Sequence, residues 1–192
     1  MRVIVVSILA MLIATAVGLG ATWTTATRGV NVGTVTIGAW TARPKTGTSG
    51  IDPYSRASIA RSGELPVGTG DGIAFTAATD DSGRALDGRC DVKVSGVTPA
   101  ARFWTLTIYD MQGRLVANTL QRYGFTSEEV VRESDGSFEV RIASRARAGN
   151  WLPTAGVDRY QLALRLYDTP VGVATRSQKD APMPAIITAG CP

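Results

Sequence analysis

Hydrophobic positions change their rhythm along this chain. From Val3 to Thr27 no residue is charged, and "VIVVSILAMLIATAVGLG" is apolar without a break. A helix of that length is about what a ~30 Å hydrocarbon core requires. Further on the pattern alternates. In "RFWTLTIYD" the residues Trp104, Leu106 and Ile108 interleave with Phe103, Thr105, Thr107 and Tyr109, the period of a strand with two distinct faces. "CDVKVSGV", "SFEVRIAS" and "YQLALRLYD" alternate in the same way. Between the runs stand Asp81-Ser82-Gly83, Asp110 to Gly113 and Asp135-Gly136, residues that tolerate the positive φ of hairpin turns. The pattern predicts a mainly β fold: an antiparallel, jelly-roll-like β-sandwich with one or two short helices, preceded by a single N-terminal transmembrane helix.

Three segments follow from this reading: residues 1–27 as a signal-anchor or transmembrane segment, 28–50 as a Gly- and Thr-rich tether, and 51–192 as the β-domain. Within the tether, Val30 to Trp40 has the β-branched runs of an edge strand, and Pro44 to Gly50 is loop by composition. "IDPYSRASIARSGEL" reads as a helix of at most three turns, with Asp52 as cap, Pro53 at the first helical position and Gly63 as terminator. Thr126 and Glu129 have capping-box spacing for one further helical turn. Near the end, Pro182 and Pro184 interrupt the chain before Ala185 to Ala189, a last strand that carries Cys191 toward Cys90.

Arg2 and the amino terminus bias the leading end to the cytoplasm, and Trp23 lies where an amphipathic ring rests at a membrane interface. The expected location is the inner (cytoplasmic) membrane, single-pass, with the globular part on the periplasmic side. A secretory signal shares the basic start and apolar middle, and small residues at Ala14-Thr15-Ala16 and Gly18-Leu19-Gly20 suit cleavage. The length of the run favours an uncleaved anchor. In an oxidising compartment Cys90 and Cys191, the only two cysteines, read as a disulfide; the other reading is two free thiols.

Composition removes more chemistry than it offers. Twenty basic against sixteen acidic residues give a net charge of +4, without the clustered basic block that nucleic-acid binding needs. There is no histidine, so the usual general base, the commonest metal ligand and any imidazole triad are missing. No Gly-rich phosphate loop or zinc-type cysteine spacing occurs, and neither cofactor nor metal is expected. Asp110, Asp135, Asp158 and Asp168 sit at turns or strand ends, while Glu64 and Glu139 are the acids a glycan-cleaving reading would use. Asn118, Arg122 and Tyr123 follow a strand, Arg165 and Tyr167 share a strand face, and Asn150 and Trp151 stand in "GNWLPT". These seven form a candidate groove for an anionic or sugar-like ligand or a partner. The plainer reading pairs Arg165 with an acid and uses the aromatics to fill the ends of a small core.

"FWTLTIYDMQGRLVANTLQRYGFTS", "DGSFEVRIAS", "GNWLPT" and "RYQLALRLYDTP", in that order, resemble the bacterial family called domain of unknown function 1214. The likeness covers about residues 70–170, and "DPYSRASIARSGELP" resembles the segment ahead of that domain in longer relatives. The resemblance implies a jelly-roll-like sandwich. It also implies a partner, because in longer relatives domain of unknown function 1254 precedes this one, and here an apolar segment stands in its place. Trp151 then either plugs an open end of the sandwich or stands at the rim of a groove. Three functions remain: an anchored, non-catalytic domain that binds a partner or envelope component, possibly as half of a two-chain assembly; an enzyme using carboxylate or Tyr/Arg chemistry on glycans or small molecules; and a structural envelope role.

Overall fold

The computed structural model describes residues 1–28, 33–62, 66–68, 70–154, 156–170 and 181–191. The chain divides into two compact units, residues 1–32 with 49–66 and residues 33–48 with 67–192.

The smaller unit holds two helices. Helix α1 runs over Arg2–Arg28, and its stretch Arg2–Thr25, 24 residues, is long and apolar enough to cross a membrane. The hydroxyls of Thr15, Thr22 and Thr25 donate to the carbonyls of Met11, Gly18 and Ala21, four residues back. An apolar helix thereby meets its own polar needs. Helix α2, Pro53–Ser62, begins as the sequence predicts. The Asp52 carboxylate accepts the N–H groups of Tyr54 and Ser55 at 3.1 and 2.9 Å, and these bonds, those from Ser55 foremost, lower its pKa. The expected terminator Gly63 and the acid Glu64 lie outside the described residues.

Among the described residues the larger unit contains ten strands: β1 Val35–Ile37, β2 Trp40–Ala42, β3 Gly72–Ala77, β4 Asp91–Gly96, β5 Phe103–Asp110, β6 Gly124–Thr126, β7 Phe138–Ala143, β8 Asn150–Pro153, β9 Tyr160–Tyr167 and β10 Ala185–Gly190. They form a six-stranded sheet in the order β1-β2-β3-β9-β5-β6 and a four-stranded sheet in the order β10-β4-β7-β8. Inward residues of both sheets make one core, with Phe75, Leu106 and Leu164 from the first and Val94, Val140 and Ile186 from the second. Trp104 and Phe138 meet across it with ring centroids 4.9 Å apart. The alternation in β5 is as read, Trp104, Leu106 and Ile108 being buried and the residues between them half-buried.

One expectation needs correction. The fold is not wholly antiparallel, since β8 pairs parallel with β7, Val140 standing opposite Asn150 and Ala143 opposite Pro153. Parallel neighbours usually need a long crossover. Here the chain returns only from Ala143 to the level of Val140, about 10 Å at ~3.3 Å per residue, a distance residues 144–149 can span. The capping box at Thr126 closes one turn, as expected: the Thr126 carbonyl accepts the N–H groups of Glu129 and Val130, both at 3.2 Å. Glu129 accepts the Thr126 N–H at 3.1 Å, but the Val131 N–H that a continuing helix would use is taken by Asn150 at 2.8 Å. The expected edge strand appears as the hairpin β1–β2 at one edge of the larger sheet, residues 29–32 lying outside the description.

One turn is built twice. In Asp80-x-x-Gly83-Arg84 and Asp110-x-x-Gly113-Arg114 the aspartate carboxylate accepts the backbone N–H groups two and four residues on, and the glycine has φ of +83° and +78°. The first copy does more, because it ties β10 down. Asp80 accepts the Thr188 hydroxyl at 2.6 Å, and Asp81 accepts the N–H groups of Ile186 and Ala39 at 2.9 and 3.3 Å. Trp40 donates its indole N–H to the Pro184 carbonyl at 2.7 Å. Cys90 and Cys191 are bonded. Sequence reading gave the turn to Asp81 and overlooked Asp80.

Burial is the largest influence on Asp80 and pushes its pKa up, yet donation from Ser82, Thr188 and the backbone outweighs it and leaves the value lowered from 3.8 to about 2. A depressed carboxylate stabilises the fold above its unfolded pKa and loses that contribution as pH falls through the folded one. Between pH 4 and pH 2 Asp80 therefore contributes about 2 kcal/mol of acid sensitivity, and chemical denaturation across that range should show a flatter profile for Asp80→Asn. Opening the covalent tie with Cys90→Ser and Cys191→Ser frees a loop of about a hundred residues and should lower stability by up to about 4 kcal/mol in the same assay.

Candidate functional site

The seven positions singled out from the sequence fall into two groups. Five gather where the β6 side of one sheet meets the β8 edge of the other. Asn118 closes its own loop, donating to the carbonyls of Val116 and Arg122 and accepting the Arg122 N–H. Arg122 reaches across to the Trp151 carbonyl at 3.2 Å, and the Tyr123 carbonyl accepts the Ile108 N–H. Asn150 is buried and acts as a piece of backbone, accepting from Val131 N–H and donating to the carbonyls of Val131 and Glu139, all within 2.9 Å. Trp151 is half-buried, its indole N–H bound to the Ala143 carbonyl at 3.1 Å. Within this set Arg122 links the loop before β6 to β8, Asn150 ties β8 to Val131 and Glu139, and the remaining bonds close their own loops or sheets.

Arg165 and Tyr167 lie elsewhere, on the outward face of β9 in the six-stranded sheet. The Arg165 guanidinium donates to the Tyr109 hydroxyl at 3.1 Å and stands 5.3 Å from the centre of that ring. Register places Tyr109 opposite Gln161 and Thr105 opposite Arg165, so Ala163 lies between the two partners, and although it faces outward it is only 4% exposed. Tyr167 meets Phe103 at 6.0 Å. Among the described residues no carboxylate pairs with Arg165.

The two outward faces differ in kind. On the four-stranded sheet Lys93, Glu139 and Arg141 form a chain of ion pairs at 3.4 and 2.7 Å, and Asp91 pairs with Arg147. That is the ordinary surface of a solvated sheet. On the six-stranded sheet every outward strand position except Arg165 is threonine, alanine, glycine, glutamine, phenylalanine or tyrosine. The sequence contained the signal, since Phe103, Thr105, Thr107 and Tyr109 alternate on one side of β5. What it lacked was the neighbour relation to β3, β9 and β6.

The acids offer little for proton transfer. Arg141, by hydrogen bond, holds the Glu139 pKa down against the opposing effect of burial, with the Lys93 charge adding to the lowering; Asp110 is lowered by its turn, chiefly by the Arg114 N–H, and Asp135 by Ser137. A general acid at neutral pH needs the opposite shift. Asp168 pairs with Arg102 at 3.9 Å. Tyr160 is fully buried, with no hydrogen-bond partner for its hydroxyl among the described residues, and burial first and the Asp87 charge second raise its pKa. It stays a neutral phenol. A shallow hollow of about 300 Å³ lies beside Ile37, Trp40 and Met183, and its carboxylate, Asp81, is already engaged by two backbone N–H groups. Among the described residues no three His, Cys, Asp or Glu side chains converge as a metal site.

The family described as "Protein of unknown function (DUF1214)" matches residues 71–171, more than half of the chain. The chain belongs to the DUF1214 family. Its fold is similar to the crystal structure of the VPA0106 protein from Vibrio parahaemolyticus, with a TM-score of 0.58 and 20% identity, over 73% of this chain and 36% of that one. An uncharacterised protein from Burkholderia cenocepacia gives a TM-score of 0.44 and 16% identity, over 61% of this chain and 30% of that one. The chain thus spans about a third of the length of these two solved structures. No curated protein matches.

In the DUF1214 fold of this chain, Asn150 and Trp151 act as structural pins. Asn150→Ala strands part-buried backbone groups of Val131 and Glu139 and should cost about 1–3 kcal/mol. Trp151→Ala should lower the melting temperature as well. Thermal unfolding followed by circular dichroism reads both losses.

Proposed function

We propose that this protein is an exported, membrane-anchored β-domain that works by binding a protein partner, without chemistry of its own, through the outer face of its six-stranded sheet. The uncharged character of that face carries the reading. A sheet surface kept for water gathers charged pairs, as the opposite sheet does, whereas a surface that is covered in use is depleted of charge and enriched in aromatic side chains with an arginine among them. Tyr109, Tyr167, Phe103 and the single Arg165 over a floor of small residues fit the second description.

Helix α1 serves as the uncleaved anchor in the inner membrane, amino terminus inside, and the β-domain, wound in jelly-roll fashion, lies on the periplasmic side. The length of the apolar run favours an anchor over a signal core, and the Cys90–Cys191 bond fits an oxidising compartment. The partner is a separate chain resembling domain of unknown function 1254. Its support is the length difference: nearly two thirds of the VPA0106 protein has no counterpart in this chain. Contacts between domains of one chain resemble transient contacts between separate proteins in size and polarity.

Cross-linking in native membranes, mild extraction and mass spectrometry test the reading. One stoichiometric partner should be recovered with the wild type and lost with Thr76→Lys plus Thr105→Lys, which place new positive charge beside Arg165 without touching the core, so that melting shifts stay small. Unchanged recovery with the double variant would overturn the interface, and the absence of any partner would overturn the function.

A further inference from the structure

The geometry points to a phospholipid headgroup seat at the corner of α1 and α2, made by Trp23 and Arg61 with Arg56 as a second cation on the other flank of α2; the inference rests on α1 being a membrane anchor. Trp23 sits two residues before the end of the apolar span, the depth at which an indole favours the interface. The Arg61 guanidinium lies over it, 5.2 Å from the ring centre. A guanidinium stacked on an aromatic face keeps its N–H edge free for a bidentate oxyanion.

Helix α2 is turned to present such an edge. Ser55 is buried and Ser58 and Ile59 are half-buried, and their spacing of three and four residues places them on one seam. Arg56 and Arg61 fall on opposite flanks of that seam, and both are exposed. Asp52, the acid at the start of α2, is spent on capping the helix, and neither arginine has an ion-pair partner among the described residues. An indole with a guanidinium stacked on it near the end of a membrane-crossing helix, and a second guanidinium on the same short helix α2, match the phosphate of an anionic phospholipid in chemistry. Zwitterionic lipid carries its own ammonium and offers less.

The test uses the full-length chain in neutral detergent micelles, with phosphatidylglycerol and phosphatidylcholine of the same acyl chains as probes and native mass spectrometry as readout. The wild type should retain phosphatidylglycerol about tenfold more tightly. Arg56→Gln with Arg61→Gln should abolish the preference, and Trp23→Leu, which keeps the span apolar, should reduce it. Equal retention of both lipids, or an unchanged preference in the double variant, overturns the seat. The intact mass of chain isolated from membranes separates the two readings: loss of residues 1–28 overturns anchor and seat together, whereas an intact, extraction-resistant chain without lipid preference overturns the seat alone.

Discussion

The larger unit depends on how its last strand is held. β10 has one paired neighbour, β4, and the two strands are distant in sequence, so bringing them together carries a loop-closure cost. Six donors converge on the adjacent carboxylates of Asp80 and Asp81, three of them from outside their own turn. Asp80 is buried, which penalises its charge, and only dense donation makes a buried carboxylate favourable. The bond between Cys90 and Cys191 closes the same corner covalently. With β10 in place, Ile186 completes the core and the four-stranded sheet lies over the six-stranded one.

The opposite side is closed by different means. Arg122 takes up the Trp151 carbonyl of the short edge strand β8, and the Asn150 side chain fastens that strand to the backbone of Val131 and Glu139. Both flanks being laced by polar contacts, the two broad faces are left for other work. One is a lattice of ion pairs. The other is uncharged but for Arg165, which Tyr109 holds in position without neutralising it.

Much of this was legible in the residues. The apolar helix, the Asp52 cap, the strands β4, β5, β7 and β9 and the bonded cysteines all follow from local patterns, because each depends on neighbours within a few positions or on there being only two thiols. The rest depends on distant pairing. Asp80 looks like any turn aspartate until Thr188 is brought to it, and Asn150 looks like a loop residue until Val131 is placed beside it. Sequence grouped seven polar and aromatic residues as one groove, and the fold separates them: Asn118, Arg122, Tyr123, Asn150 and Trp151 gather beside β6 and β8, where their bonds hold loops and strands, while Arg165 and Tyr167 belong to a face whose other members are mostly small and uncharged. No short-range signal distinguishes those two fates.

Hydroxyl-radical footprinting of the full-length chain reads that face directly, by comparing oxidation of Phe103, Tyr109 and Tyr167 in native membranes with oxidation of the same residues in the purified protein. A covered face predicts strong protection of all three in membranes and its loss on purification, with Trp151 labelled alike in both. Equal labelling of the three aromatics in both states would contradict the account, leaving the uncharged sheet as a surface that faces only water.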